Sequence, residues 1–196
     1  SLVGVHLPSR NTIVTNCIIY DITSQGTVWG LYGSNNNAVT SYFYNNTIYD
    51  IQTTDEPATG ISKGSAGTVY AKNNYVGNVN STNGGENCYS NVYPFAVGST
   101  HNVSSDGTAD DGNLANGVTG ATSYSSYFVN TTAGKEDFHL KTTDTVLRNT
   151  GTSLSADAGY AFAVDIDGAG RVDGSWDIGA DEAPRVVYYS VGTSTA

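Results

Sequence analysis

Three short phrases recur along this chain at almost constant spacing: TNCIIYDI at Thr15–Ile22, NNTIYDI at Asn45–Ile51 and NNYVGNV at Asn73–Val79. Their last aliphatic residues, Ile22, Ile51 and Val79, are separated by 29 and then 28 positions. Each column keeps its chemistry: Asn at 16, 45 and 73, an aliphatic at 19, 48 and 76, and Asp or Asn at 21, 50 and 78. A period of this size belongs to stacked folds, in which each repeat buries its apolar face only against its neighbours. The period therefore predicts an all-β solenoid, because the residues within it favour strands and turns. Asn, Thr, Ser, Gly and Tyr are abundant while Lys, Glu and Leu are scarce, so helix formers are missing.

Two aliphatic-rich strands per repeat are expected, on either side of the Asn: Asn11–Asn16 with Cys17–Ile22, Ala38–Tyr44 with Asn46–Ile51, and Thr68–Lys72 with Asn74–Val79. Placing like residue over like residue calls for parallel stacking at about 4.8 Å per rung. The pairs Gly4-Val5, Gly30-Leu31 and Gly60-Ile61 open the repeats, and a glycine there suits a sharp corner. Asn tolerates the left-handed conformation, and stacked amides bond one another. A structural ladder of Asn16, Asn45, Asn73 and Asn102 is expected, with Asn102 marking a further rung at Pro94–Asp106. The expected organisation is roughly four to five rungs over residues 1–140, with a long Gly/Ser/Asn/Asp-rich loop near 104–126. An acidic closing segment follows at 141–183, over the open end of the stack. Residues 184–196 resemble a linker and the start of another domain, so the chain is expected to be part of a larger polypeptide. It contains no Met and has the character of a mature or excised piece.

With 8 basic and 18 acidic residues the formal charge is −10. That argues against nucleic acid as a partner, since phosphate binding needs clustered Lys and Arg. No apolar run approaches the roughly 18 residues of a membrane-spanning helix, so membrane insertion is not expected. A surface rich in hydroxyl and amide groups suits an extracellular or cell-surface location. Cys17 and Cys88 leave two alternatives, a disulfide or two isolated buried thiols.

The second half of the chain carries a resemblance. HNVSSDGTADD (His101–Asp111), YFVNTTAGKEDFHLKTTDTVLRNTG (Tyr127–Gly151) and DIDGAGRVDGSWDIGADE (Asp165–Glu182) follow in an order that resembles the C-terminal end of bacterial secreted right-handed parallel β-helix proteins of the choice-of-anchor Q type. Members often carry Asp-Ala-Gly where this chain has Asn149-Thr150-Gly151. The resemblance implies a right-handed, single-stranded parallel β-helix in a secreted or surface-anchored setting. Proteins sharing that fold include polysaccharide lyases, glycoside hydrolases and phage tailspikes, which implies a lean toward carbohydrate and no particular reaction.

Candidate sites are of three kinds. Trp29, Tyr32, Tyr42, Tyr44 and Tyr70, with Tyr75, would form a glycan-binding face if exposed on one side, because aromatic rings stack on sugar faces. The alternative is rung-to-rung tyrosine packing. Asp165, Asp167, Asp173 and Asp177 lie among glycines, as the oxygen ligands of Ca²⁺ do; alternatively they cap turns and pair with Arg171. Catalytic groups are not indicated by any motif. Lys63, Lys72 and Arg10 are the basic groups a lyase would draw on, and Asp21 with Asp50 the carboxylates a hydrolase would need about 5–9.5 Å apart. Neither set forms a motif, and solvated loop charges are the favoured explanation of both. His6, His101 and His139 show no metal-ligand spacing. The expected function is structural or adhesive, a display module for a polysaccharide or cell-surface glycan. The competing reading is the C-terminal part of a polysaccharide lyase or glycoside hydrolase.

Overall fold

A computed structural model describes residues 2–6, 10–33, 38–90, 92–171 and 174–184. The period becomes a parallel β-solenoid with three strands per turn. The first turn is β1 (Leu2–His6), β2 (Thr12–Thr15) and β3 (Ile18–Ser24). The second is β4 (Val28–Tyr32), β5 (Thr40–Tyr44) and β6 (Thr47–Thr53), and the third β7 (Ala58–Ser62), β8 (Thr68–Lys72) and β9 (Tyr75–Ser81). Shorter strands β10 (Asn87–Tyr89), β11 (Ser99–Thr100) and β12 (Val103–Ser104) continue the stack, and β13 (Leu114–Ala115) adds to one side. Three parallel sheets result, in the orders β1-β4-β7-β10, β2-β5-β8-β11-β13 and β3-β6-β9-β12.

The register places like over like, with Ile19 on Ile48 on Val76, Tyr20 on Tyr49 on Gly77, and Ile22 on Ile51 on Val79. Phe43, Ile48, Leu31, Ile61 and Val76 converge from all three sheets and are fully buried. Each such side chain contributes roughly 1.5–3 kcal/mol by leaving water.

The third strand per turn corrects the two-strand expectation, and the glycines explain why. Gly30 and Gly60 lie inside β4 and β7 rather than at corners. A Cβ on Gly30 would sit 2.8 Å from Ile48 Cγ2, and one on Gly60 2.1 Å from Val76 Cγ1. These positions are empty so that the aliphatics of the facing sheet can fill a narrow core. The sharp corners are instead made by Asn16, Asn45, Asn73, His101 and Asn116, whose φ values run from 52° to 54° save Asn45 at 51°.

The Asn ladder is also differently composed. At the corner after the second sheet the inner column is Cys17, Asn46, Asn74 and Asn102. Asn46 Nδ2 donates to Asn74 Oδ1 at 2.9 Å, and Asn74 Nδ2 to Asn102 Oδ1 at 2.9 Å. The same amides donate to the carbonyls of Val14, Phe43 and Ala71. Asn102 thus stacks under Asn74, not Asn73. Asn16, Asn45 and Asn73 form the adjacent outer column. Within it Asn73 Nδ2 reaches Asn45 Oδ1 at 3.2 Å, while Asn16 turns to later residues.

The segment expected as one long loop at 104–126 contains β13 and a parallel bridge from Val103 to Val118, so part of it extends the stack. After a single helical turn, α1 (Tyr124–Tyr127), strands β14 (Phe128–Asn130) and β15 (Asp137–Leu140) pair antiparallel. They pack outside the third sheet, with the Phe138 ring centroid 5.1 Å from Tyr20 and 5.4 Å from Tyr49.

The acidic segment then runs back beside the solenoid instead of across its open end. Its contacts descend through the turns: Thr152 on Asn73, Gly179 on Asn73 and Asn45, Ala180 on Thr47, and Val164 on Asn16. Arg171 pins this strap. Buried at 5 % exposure, it pairs with Glu182 Oε2 at 3.1 Å and donates to Asn16 Oδ1 and to the carbonyls of Asp177, Gly179 and Ala180. The outer Asn side chains are the strap's receptors, which explains a second Asn column beside the ladder. Residues 185–196, and with them the expected linker, lie outside the described residues. Cys88 is buried in β10, Cys17 is half-buried at the corner, and both thiols are free.

Candidate functional site: a tyrosine groove on the second sheet

Side chains alternate across a strand, so β5 and β8 send Phe43 and Ala71 inward and Tyr42, Tyr44, Tyr70 and Lys72 outward. Parallel register sets Tyr42 over Tyr70 and Tyr44 over Lys72. The Tyr42 and Tyr70 rings stack at 5.4 Å with an interplanar angle of 10°. In the next turn Lys72 pairs with Thr100, but Ala96 N–H donates to Val69 O and Ser99 N–H to Ala96 O, so Val97 and Gly98 lie in a turn ahead of β11. A Cβ on Gly98 would meet nothing within 4 Å. The aromatic column stops at this turn, and Tyr42, Tyr44 and Tyr70 line a cavity of about 330 Å³ together with Gly98 and Asp157.

The strap supplies the polar wall of this groove. Asp157 Oδ2 pairs with Lys72 Nζ at 2.5 Å, and its Oδ1 accepts the Tyr44 hydroxyl at 3.2 Å. Lys72 also lies over the Tyr44 ring, 5.3 Å from its centroid. Burial, reinforced by Asp157, pushes the Tyr44 hydroxyl far above the ordinary tyrosine range, so it acts as a donor and not as a base. Burial opposes ionisation of Asp157, but Lys72 and the N–H groups of Tyr160 and Gly159 outweigh it and hold the carboxyl below its usual value. The groove therefore combines an aromatic face, a cation and a carboxylate.

The five aromatic residues expected on one face divide between two. Trp29 and Tyr32, with rings 5.1 Å apart, lie on the first sheet in a separate groove with Lys63 and Tyr93. Tyr75 is fully buried against Tyr127 and Phe128 and belongs to neither. Asp21 and Asp50 fall in register in adjacent turns, between the pairs Tyr20–Tyr49 and Ile22–Ile51. Asp50 Oδ1 accepts from Asn78 Nδ2 and Gln52 Nε2 at 2.8 and 2.6 Å, which ties it into the third sheet.

Of the expected Ca²⁺ ligands, Asp165 and Asp177 hold backbone turns. Asp165 accepts from the N–H groups of Asp167, Ala169 and Glu182, and Asp177 from those of Asn149 and Ala183. Asp173 lies outside the described residues. Asp167 instead meets His139. Among the described residues, one group of three His, Cys, Asp or Glu side chains brings its ligand atoms within 4.8 Å of each other: His139, Asp167 and Asp181. No metal-ligand spacing surrounds His139 in the sequence, because its partners lie 28 and 42 residues downstream. The one local clue was Asp137-x-His139, two residues on the same side of a strand.

Searches against protein-family models, curated proteins and solved structures return no match. No helix among the described residues is long and apolar enough to cross a membrane.

Proposed function

We propose that this chain is a β-solenoid display module of a secreted or surface-anchored protein, and that it holds a glycan in the Tyr70–Gly98 groove. The observation that carries the reading is the interrupted aromatic column. A pyranose ring laid against Tyr70 would occupy the cavity beside the Val97–Gly98 turn. Sugar C–H groups favour such a face, and Lys72, Asp157 and the rim of the groove are placed for the hydroxyls. An acidic sugar would gain a charge-assisted bond from Lys72. The resemblance to choice-of-anchor Q proteins and the hydroxyl- and amide-rich surface support the extracellular setting.

A glycan array followed by calorimetry on Tyr70→Ala tests the reading. Binding that falls at least tenfold in this variant supports the groove, and binding indifferent to it removes the proposal. Incubation with uronate polysaccharides gives the enzymatic alternative its chance. Accumulation of unsaturated product would replace display by lyase chemistry.

A further inference from the structure

We propose that His139, Asp167 and Asp181 form a site for a divalent transition cation of the zinc–manganese type, with Asp137 as its positioning residue. The site lies on the third sheet's side of the molecule, apart from the tyrosine groove. Strand β15 presents Asp137 and His139, and the strap brings Asp167 and Asp181 against them. The His139 Nδ1 lies 2.5 Å from Asp137 Oδ1 and its Nε2 2.9 Å from Asp167 Oδ2. A carboxylate that accepts a hydrogen bond from Nδ1–H fixes the tautomer and aims Nε2 as a ligand, as around protein-bound zinc. That nitrogen faces the other two carboxylates, all within 4.8 Å.

Two further observations point to a ligand. Asp181 is 4 % exposed, and Leu140 N–H donates to its Oδ2 at 2.7 Å. Among the described residues its Oδ1 has no hydrogen-bond partner, yet Asp181 lines the same cavity of about 320 Å³ as His139 and Asp167. Three carboxylates, Asp137, Asp167 and Asp181, surround a single imidazole, which leaves negative charge for a cation to neutralise.

The donor set selects the cation. One imidazole nitrogen and two carboxylates match Zn²⁺ or Mn²⁺, whereas Ca²⁺ needs six to eight oxygens. Three protein ligands leave at least one coordination position, and it opens on a cavity walled by Ile18, Tyr20, Phe138 and Ile166.

Titration of the full chain with Zn²⁺, Mn²⁺ and Ca²⁺, followed by calorimetry and thermal melting, tests the site. One equivalent of Zn²⁺ or Mn²⁺ is expected to bind and raise the melting temperature. His139→Ala and Asp167→Asn, both at exposed positions, should weaken binding about 100-fold or more, and Asp137→Asn about 10–100-fold. His101→Ala should leave it unchanged, which controls for adventitious histidine binding. Zn²⁺ and Mn²⁺ binding that is absent, or that survives His139→Ala and Asp167→Asn, overturns the site. Tighter binding of Ca²⁺ than of Zn²⁺ overturns the assignment of the cation.

Discussion

Two tyrosine columns run along this solenoid, and they begin alike. On the second sheet Tyr42 stacks on Tyr70 and the column ends at the Val97–Gly98 turn; on the third, Tyr20 and Tyr49 stand in register and the column ends at Gly77. Their fates differ. The β14–β15 hairpin covers Tyr49, which is buried at 7 % exposure, while Tyr20 touches the same Phe138 and stays 43 % exposed at the start of the column. The place of a side chain at Gly77 is filled by the Tyr75 hydroxyl, 2.3 Å from where a Cβ would lie, whereas the space at Gly98 is open. The same local pattern thus makes a core on one face and a groove on the other. What separates them is where the chain returns after leaving the stack.

The comparison breaks most severely if the strap is released. Arg171→Ala leaves Glu182 buried without its cation and removes donors from four receptors, so a loss of about 3–5 kcal/mol is expected. Chemical denaturation would measure it, and an accompanying rise in binding of a hydrophobic dye would report the uncovered third-sheet face. A loss below about 1 kcal/mol would show that the strap is not held by this residue. The columns themselves are compared by truncation. Phe138→Ala empties a buried aromatic contact at a cost of about 3 kcal/mol or more. Tyr70→Ala should cost about 1 kcal/mol, near the value of one aromatic pair. Equal losses would erase the distinction between core and groove.

The smallest effect concerns the corner between the two faces. His101 occupies the left-handed position that Asn holds in the preceding turns, and burial lowers its pKa. The folded state therefore favours the neutral ring. Below about pH 6.5 the unfolded chain takes up the proton first, so stability contributed by this residue is full above that pH and declines as pH falls through it. His101→Asn should flatten that part of the pH–stability curve, since Asn accepts the same backbone without titrating. An unchanged slope would assign it to another group.

Much of the fold was legible because stacking repeats a physical demand at a fixed interval. Ile19, Ile48 and Val76 meet the same environment three times, and the left-handed corner asks for Asn each time. The repeat was less informative where two neighbouring positions carry the same residue. In Asn45-Asn46 and Asn73-Asn74 one amide faces into the turn and the other outward, and no local feature says which. The glycines misled for a related reason. Gly30 and Gly60 answer to Ile48 and Val76 across the core, not to their own backbone. The aromatic groove was half visible: Tyr42, Tyr44 and Tyr70 were identifiable, but Asp157, which joins Tyr44 to Lys72, lies 85 residues beyond that lysine.

By itself the sequence determined the parallel β-solenoid, its approximate pitch in residues and its polar corners, because each of these is a nearest-neighbour property repeated along the chain. Only the tertiary structure decided that the acidic segment lies along the side, that Tyr49 is covered while Tyr70 lines a groove, and that His139 meets Asp167 and Asp181. Those outcomes depend on contacts between residues far apart in the chain, made once and never repeated, so no period records them.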